Sequence, residues 1–223
     1  MTIGCKETVA VVEDDPVARV GLAALIASIG MECHESASAE EFLECGPNLD
    51  PSCIVLDLCL PGMNGQDLLE RLVRCENSPP VVVVTGFATI PLVVNIMRGG
   101  AYTVLEKSCR TQELRETIQK AVARHHYLLQ KRHQTELQKQ CFETLSEVER
   151  RVAKGIAEGT SNSDLSQLLN LGLRTVEKRR QQVFRKLKVD NLPAFIEVLY
   201  RVAPDYVLPL PREDAASDFD KPC

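Results

Sequence analysis

Apolar residues gather into short runs along the first half of the chain: Thr8–Val12, Cys53–Leu56, Val81–Val84 and Tyr102–Leu105. Runs of four or five, interrupted only by Thr103 in the last, mark strands buried on both faces. Between them, apolar positions fall at helical spacing over stretches long enough to cross a sheet. The pattern predicts strands near 8–12, 31–35, 53–57, 81–85 and 102–106, with helices near 16–29, 38–45, 65–74, 89–98 and from 110 onward. Ser38-Ala39-Glu40-Glu41 has capping-box spacing and starts the second helix. Pro61-Gly62-Met63-Asn64-Gly65 is turn chemistry. Strands alternating with helices give a doubly wound α/β domain around a five-stranded parallel sheet.

The pattern changes after residue 110. No Gly or Pro occurs between Arg110 and Gln140, which predicts one long linker helix over 110–140. Its apolar spacing is fair at Leu114, Ile118, Ala121 and Leu128, then fades into Arg132 and Thr135. A solvated connector and a dimeric coiled coil both fit that spacing. Residues 141–203 read as an all-α domain. Ser146-Glu147-Val148-Glu149 opens one helix, which ends near Glu158-Gly159. Ser161-Asn162-Ser163-Asp164 caps a second, which runs to Leu169. The turn Asn170–Leu173 leads into a third helix over Arg174–Lys188, and a fourth covers about Leu192–Val202. Two helices joined by a short Gly-bearing turn form a helix-turn-helix. The tail over 204–223, rich in Pro, Asp and Ala, reads as disordered.

Charge divides the chain in the same way. Residues 1–109 carry 6 Lys and Arg against 15 Asp and Glu, a net −9, whereas residues 110–203 carry 18 against 11, a net +7. The acidic half points to cation or phosphate chemistry and the basic half to a polyanion. The nine cysteines show no C-x-x-C pair and no zinc spacing with His, so reduced thiols in the cytoplasm are expected. The longest apolar stretch, Val20–Met31, is too short to span a bilayer, so no membrane segment is expected.

Chemistry sits where the apolar runs stop. Glu13 and Asp14, Asp57, Thr85 and Lys107 each close one of them. In a parallel α/β sheet the site lies outside the carboxyl ends of the strands, so these side chains should converge. Three carboxylates that meet repel one another unless a cation or a proton is shared among them. Hard oxygen donors of this kind suit Mg²⁺, with phosphate oxygens completing its shell. Asp15, just ahead of Pro16, is read instead as the neighbour of a helix N-terminus.

These residues and their order resemble the receiver domain of two-component response regulators over about 6–125. The likeness rests on Val11-Val12-Glu13-Asp14-Asp15, Val55-Leu56-Asp57, Pro61–Gly65, Val83-Val84-Thr85-Gly86, Gly99–Tyr102 and Leu105-Glu106-Lys107. The resemblance implies a flavodoxin-like fold with Asp57 as phosphoacceptor for a sensor histidine kinase. It implies Mg²⁺ held by Glu13, Asp14, Asp57 and the backbone carbonyl of Cys59. Lys107 would pair with a phosphoryl oxygen, Thr85 would swing to hydrogen-bond another, and Tyr102 would rotate inward behind it. Such a domain assists its own phosphorylation and dephosphorylation but is not a metabolic enzyme. One departure is Ser108, where the family usually has a proline after a cis bond. A cis bond before a non-proline residue costs about 2.5–4 kcal/mol. Either that strain is kept, or the loop is trans and Lys107 is aimed differently. Ser108 is also the best support for an alternative, a receiver that binds partners without using phosphate. An aspartyl-phosphate hydrolase would need a general acid two residues past Asp57, where Cys59 stands.

The basic half offers a second site. Arg174–Lys188 holds seven basic residues and one acid, Glu177, while Val176, Val183, Phe184 and Leu187 form an inward stripe. Positions 174, 178, 181, 182 and 185 then face outward, as on a helix that enters a major groove. Leu145–Val152, Ile156–Asn162, Arg174-Thr175-Val176-Glu177 and Arg185-Lys186-Leu187 resemble the LuxR-type DNA-binding domain, and Asn191-Leu192-Pro193 resembles its FixJ-type branch. By that resemblance Thr175, Lys178, Gln181 and Gln182 lie where bases of double-stranded DNA are read. Arg179, Arg185 and the backbone of Ser161 and Asn162 would hold phosphates. The implied whole is a NarL/FixJ-type transcriptional regulator that forms a homodimer on activation.

Overall fold

The structure, a computed structural model, describes residues 7–45, 49–75 and 77–207. It divides into two compact units, Met1–Leu129 and Gln130–Cys223.

The first unit is built on strands β1 (Thr8–Val12), β2 (Glu32–Ser36), β3 (Cys53–Leu56), β4 (Val81–Thr85) and β5 (Thr103–Glu106). All pair in parallel in the order β2-β1-β3-β4-β5. Side chains of successive strand residues point to opposite faces, so the unbroken apolar runs supply two cores. Val9, Val11, Cys53, Val55, Val82 and Val84 pack with α1 (Pro16–Ser28) and the start of α5 (Thr111–Glu143). Ala10, Val12, Ile54, Leu56, Val81 and Val83 pack with α2 (Ala39–Cys45), α3 (Gly65–Val73) and α4 (Ile90–Arg98). Burial of one such side chain contributes about 1.5–3 kcal/mol. The order reverses between β1 and β3, and that reversal opens a crevice at their carboxyl ends.

Local chemistry sets where helices begin beside that crevice. Asp15 caps α1 by accepting the Val17 amide at 2.8 Å, with Pro16 at the first helical position. Asn64 caps α3 by accepting the Asp67 amide at 2.8 Å. Helix α5 extends three residues past its expected end, to Glu143, and its buried residues are Leu114, Ile118, Ala121, Val122 and His125. Among the described residues no helix is long and apolar enough to cross a membrane.

The second unit carries α6 (Glu147–Ala157), α7 (Asn162–Leu169), α8 (Leu173–Leu187) and α9 (Leu192–Val202). The capping box of Ser146 and Glu149 opens α6. Asn170 and Lys188, both with positive φ, close α7 and α8. Val152, Ile156, Val183, Leu187, Phe195 and Leu199 fill the core, where Phe184 stacks on Phe195 at 5.0 Å. The expected disordered tail does not begin at 204. Pro204–Tyr206 form a 3₁₀ turn, and Tyr206 sets its ring against the edge of Phe142 at 5.6 Å. Residues 208–223 of that expected tail lie outside the described residues.

Candidate functional site

Strand register builds the site. Val12 pairs with Leu56, so the next residues, Glu13 and Asp57, stand side by side. The Asp57 amide donates to the Val12 carbonyl at 2.9 Å. One strand further, the Lys107 amide donates to the Thr85 carbonyl at 2.8 Å. From there the Lys107 side chain reaches back across the end of β4. Its Nζ lies 2.8 Å from Asp57 Oδ2 and 2.8 Å from Glu13 Oε1. The described residues contain no cis peptide, so the Lys107–Ser108 bond is trans and the amine still meets both carboxylates. Asp57 Oδ1 accepts the Cys59 amide at 3.2 Å, which ties the loop after β3 to the same carboxylate. Glu13, Asp57 and Thr85 are buried, while Asp14 is exposed.

The electrostatics follow from that crowding. Burial pushes the Glu13 carboxyl above its ordinary value, and the nearby Asp57 charge adds to the rise against the opposing bond from Lys107. Burial alone would lower the Lys107 amine, but its bonds to Asp57 and Glu13 outweigh this and raise it. Carboxylate oxygens of Glu13, Asp14 and Asp57 lie within 4.8 Å of one another. With Lys107 counted, three acids and one base leave a formal charge of −2. An all-oxygen donor set with that charge fits a hard divalent cation.

Two expected switch residues fare differently. Thr85 stands at the crevice, and its Oγ1 accepts the Phe87 amide at 3.4 Å. Tyr102 does not stand behind it. Its amide donates to the Val81 carbonyl, at the opposite end of β4 from Thr85. Those ends are four residue steps apart, about 13 Å. The Tyr102 ring instead lies under the Arg124 guanidinium, 5.9 Å away, on the α1 and α5 side. The β5 residue beside Val83, packed with the α2, α3 and α4 core, is Val104.

Three further residues shape the site, of which the sequence reading used Gly65 and Glu40 only as turn and capping residues and Arg19 not at all. Gly65 packs so closely that a Cβ would lie 2.1 Å from the Asp57 carbonyl oxygen. Glu40 of α2 accepts the Met63 amide at 2.8 Å and so steadies the loop after Asp57. Arg19 of α1 donates to the backbone carbonyls of Glu13 and Asp14 at 2.6 and 3.2 Å. A turn glycine eight residues past the strand-end acid Asp57 is a usable signal for Gly65. Contacts to backbone atoms leave none for Arg19.

In the second unit Arg174, Thr175, Lys178, Gln181 and Arg185 are exposed on α8, opposite buried Val176, Val183 and Leu187. Gln182 is half-buried and accepts from Arg179 at 3.2 Å. Arg179 also lies 3.9 Å from the buried Glu149, so its charge is shared with the domain interior. The Ser161 hydroxyl caps α7 by accepting the Asp164 amide at 3.1 Å, and Asn162 is the first helical residue.

A receiver-type sheet with clustered acids, a crossing lysine and an attached helix-turn-helix define a response regulator. Residues 9–119 match the response regulator receiver domain family, and residues 143–199 match the bacterial regulatory proteins, luxR family. The chain is 35% identical over 193 residues to nodulation protein W of Bradyrhizobium diazoefficiens, covering 86% of this chain and 85% of that protein. It is 33% identical over 197 residues to the transcriptional regulatory protein FixJ of Azorhizobium caulinodans, covering 87% and 93%. Among solved structures, response regulator StyR superposes with a TM-score of 0.75 at 31% identity, over 88% of this chain and 99% of that one. Full-length FixJ from B. japonicum superposes with a TM-score of 0.55 at 29% identity, over 88% and 97%. The chain belongs to the NarL/FixJ family of response regulators, in its FixJ-type branch.

Proposed function

We propose that Asp57 accepts a phosphoryl group from a sensor histidine kinase in the cytoplasm, and that this controls promoter binding by the C-terminal helix-turn-helix. The observation that carries the reading is the double contact of Lys107 with Asp57 and Glu13, which draws three strand ends onto one nucleophile. An Asp57 oxygen forms the new O–P bond as the donor's P–N bond breaks, and the electron pair leaves with the imidazole. Lys107 neutralises negative charge on a phosphoryl oxygen as it transfers. Glu13, Asp14, Asp57 and the Cys59 carbonyl would hold Mg²⁺, which supplies further charge neutralisation there. The phosphorylated carboxylate brings new acceptor oxygens, toward which the Thr85 hydroxyl turns. That turn releases the Phe87 amide and changes the loop ahead of α4.

Exposed Phe87 in the loop ahead of α4, with Ile90, Val94 and Met97 of α4, offers an apolar face that a second copy would cover on activation. On DNA, Thr175, Lys178, Gln181 and Gln182 read bases, while Arg179, Arg185 and the α7 N-terminus at Ser161 and Asn162 meet phosphates. Dimeric contact with two half-sites raises apparent affinity through effective concentration.

Labelling from a small phosphodonor tests the reading. Wild type takes up phosphate only with Mg²⁺ present, and Asp57→Asn takes up none. Unlabelled wild type would leave the phosphate-independent interaction module as the better account. DNA affinity titrated against salt tests the second site, with a log–log slope near −0.9 for each phosphate neutralised. A flat line, or unchanged binding in the Lys178→Ala, Arg185→Ala pair, rejects the α8 assignment.

A further inference from the structure

The acidic turn ahead of α1 is gripped from behind by one cation. Arg19 donates from a single guanidinium nitrogen to two consecutive carbonyls, those of Glu13 at 2.6 Å and Asp14 at 3.2 Å. Its Nε lies 3.8 Å from Glu35 Oε2 of β2, and the side chain is 20% exposed. The exit of β1, the first turns of α1 and the end of β2 therefore share one guanidinium. The same turn is tied again where the Asp15 amide donates to Glu13 Oε1 at 3.3 Å.

We propose that Arg19 is a positioning residue for the divalent-cation site. It fixes the backbone from which Glu13 and Asp14 project, so that both carboxylates face Asp57 before a cation arrives. The inference rests on the reading of Glu13, Asp14 and Asp57 as cation ligands. Those three acids have oxygens within 4.8 Å of one another, and their mutual repulsion pushes the turn outward. A turn free to relax would have to be ordered again on binding, at an entropic cost. Two adjacent carbonyls stay within reach of one nitrogen only while the turn keeps its shape, so the grip removes that freedom.

The charge of Arg19 acts in the opposite direction. A guanidinium near a cation site repels the incoming ion, an effect that Glu35 partly offsets. Loss of the charge alone would strengthen cation binding, whereas loss of the grip weakens it. The sign of the change therefore separates the two effects.

Mn²⁺ serves as the probe, titrated into the full chain and followed by the electron paramagnetic resonance of the free ion. Loss of an outer-shell partner of a metal ligand typically lowers affinity about 10–100-fold. Arg19→Gln, which is neutral and too short for both carbonyls, should bind Mn²⁺ about tenfold more weakly than wild type. Arg19→Lys, which keeps the charge but is shorter and offers one nitrogen where Arg19 uses two, for the carbonyls and for Glu35, should fall between the two. Circular dichroism and metal-free thermal midpoints show whether each variant is folded. A merely structural role would lower the midpoints and leave Mn²⁺ affinity unchanged. Folded variants that bind Mn²⁺ as tightly as wild type, or more tightly, overturn the proposal. If Arg19→Gln does not fold, Arg19→Lys decides alone: affinity below wild type supports the grip, and equal or higher affinity rejects it. Wild type that takes up no Mn²⁺ removes the cation reading itself, and the role of Arg19 with it.

Discussion

At the scale of single residues, the tightest constraint beside Asp57 is a glycine. A Cβ at Gly65 would lie 2.1 Å from the Asp57 carbonyl oxygen and 2.7 Å from the Leu58 Cα. Both are backbone atoms, so no side chain can yield. Gly65→Ala should cost about 1–3 kcal/mol, as overpacking of a filled site does. Phosphodonor labelling of Asp57 should fall with it. A thermal melt and a labelling time course check both, and a variant that melts and labels like wild type would show that the loop has room. Glu13, Asp57, Thr85 and Lys107 were legible in the sequence because a charged or hydroxyl residue stops an apolar strand only at its end, and parallel strands end together. Arg19 was not legible. It acts through backbone carbonyls, and in the sequence it is one more arginine on a helix. Tyr102 was misplaced for a related reason. A resemblance lends a role to an aromatic near the right strand, but register decides height, and Tyr102 enters opposite Val81 rather than Thr85.

At the scale of elements, α6 and α8 are joined through one buried acid. Glu149 Oε2 accepts the Ser146 amide at 2.8 Å and Lys186 Nζ at 2.6 Å. Burial works to raise its carboxyl, but the bonds from Lys186 and Ser146 outweigh this and hold it below the ordinary value of 4.5. For an acid lowered by folding, the stabilisation is fully present above the unfolded value and is lost as pH falls through the folded one. The C-terminal unit should therefore weaken as pH drops below 4.5. Glu149→Gln should be less stable at neutral pH and should flatten that dependence. Denaturant melts between neutral and acid pH read both, and parallel pH profiles for the two proteins would exclude Glu149 as a source. The capping box was plain in the sequence at Ser146 and Glu149, since local spacing encodes it. The bond to Lys186 lies 37 positions away, and no local pattern announces it. Element edges moved for simple reasons. Helix α8 begins one residue early, at Leu173, because Gly172 is its N-cap.

At the scale of the whole molecule, an acidic α/β unit and a basic helical unit are joined in one chain through α5, which spans the division after Leu129. The charge asymmetry and the absence of Gly or Pro made this plan readable. Coupling between the units is not written in periodicity. Phosphodonor treatment should raise DNA affinity of wild type, while Asp57→Asn should keep its basal affinity and gain nothing. An equal gain in both proteins would show that the effect bypasses Asp57. The ammonium of Lys107 has a consequence for the order of events in a newly made chain. Because it already bridges Glu13 and Asp57, the crevice carries its own temporary counter-ion. Assembly of the sheet need not wait for metal, unlike small domains whose folding energy is the binding of their ion. Melts in chelator and in millimolar Mg²⁺ should then differ by only a few degrees, so a cell short of magnesium would keep an intact but silent regulator.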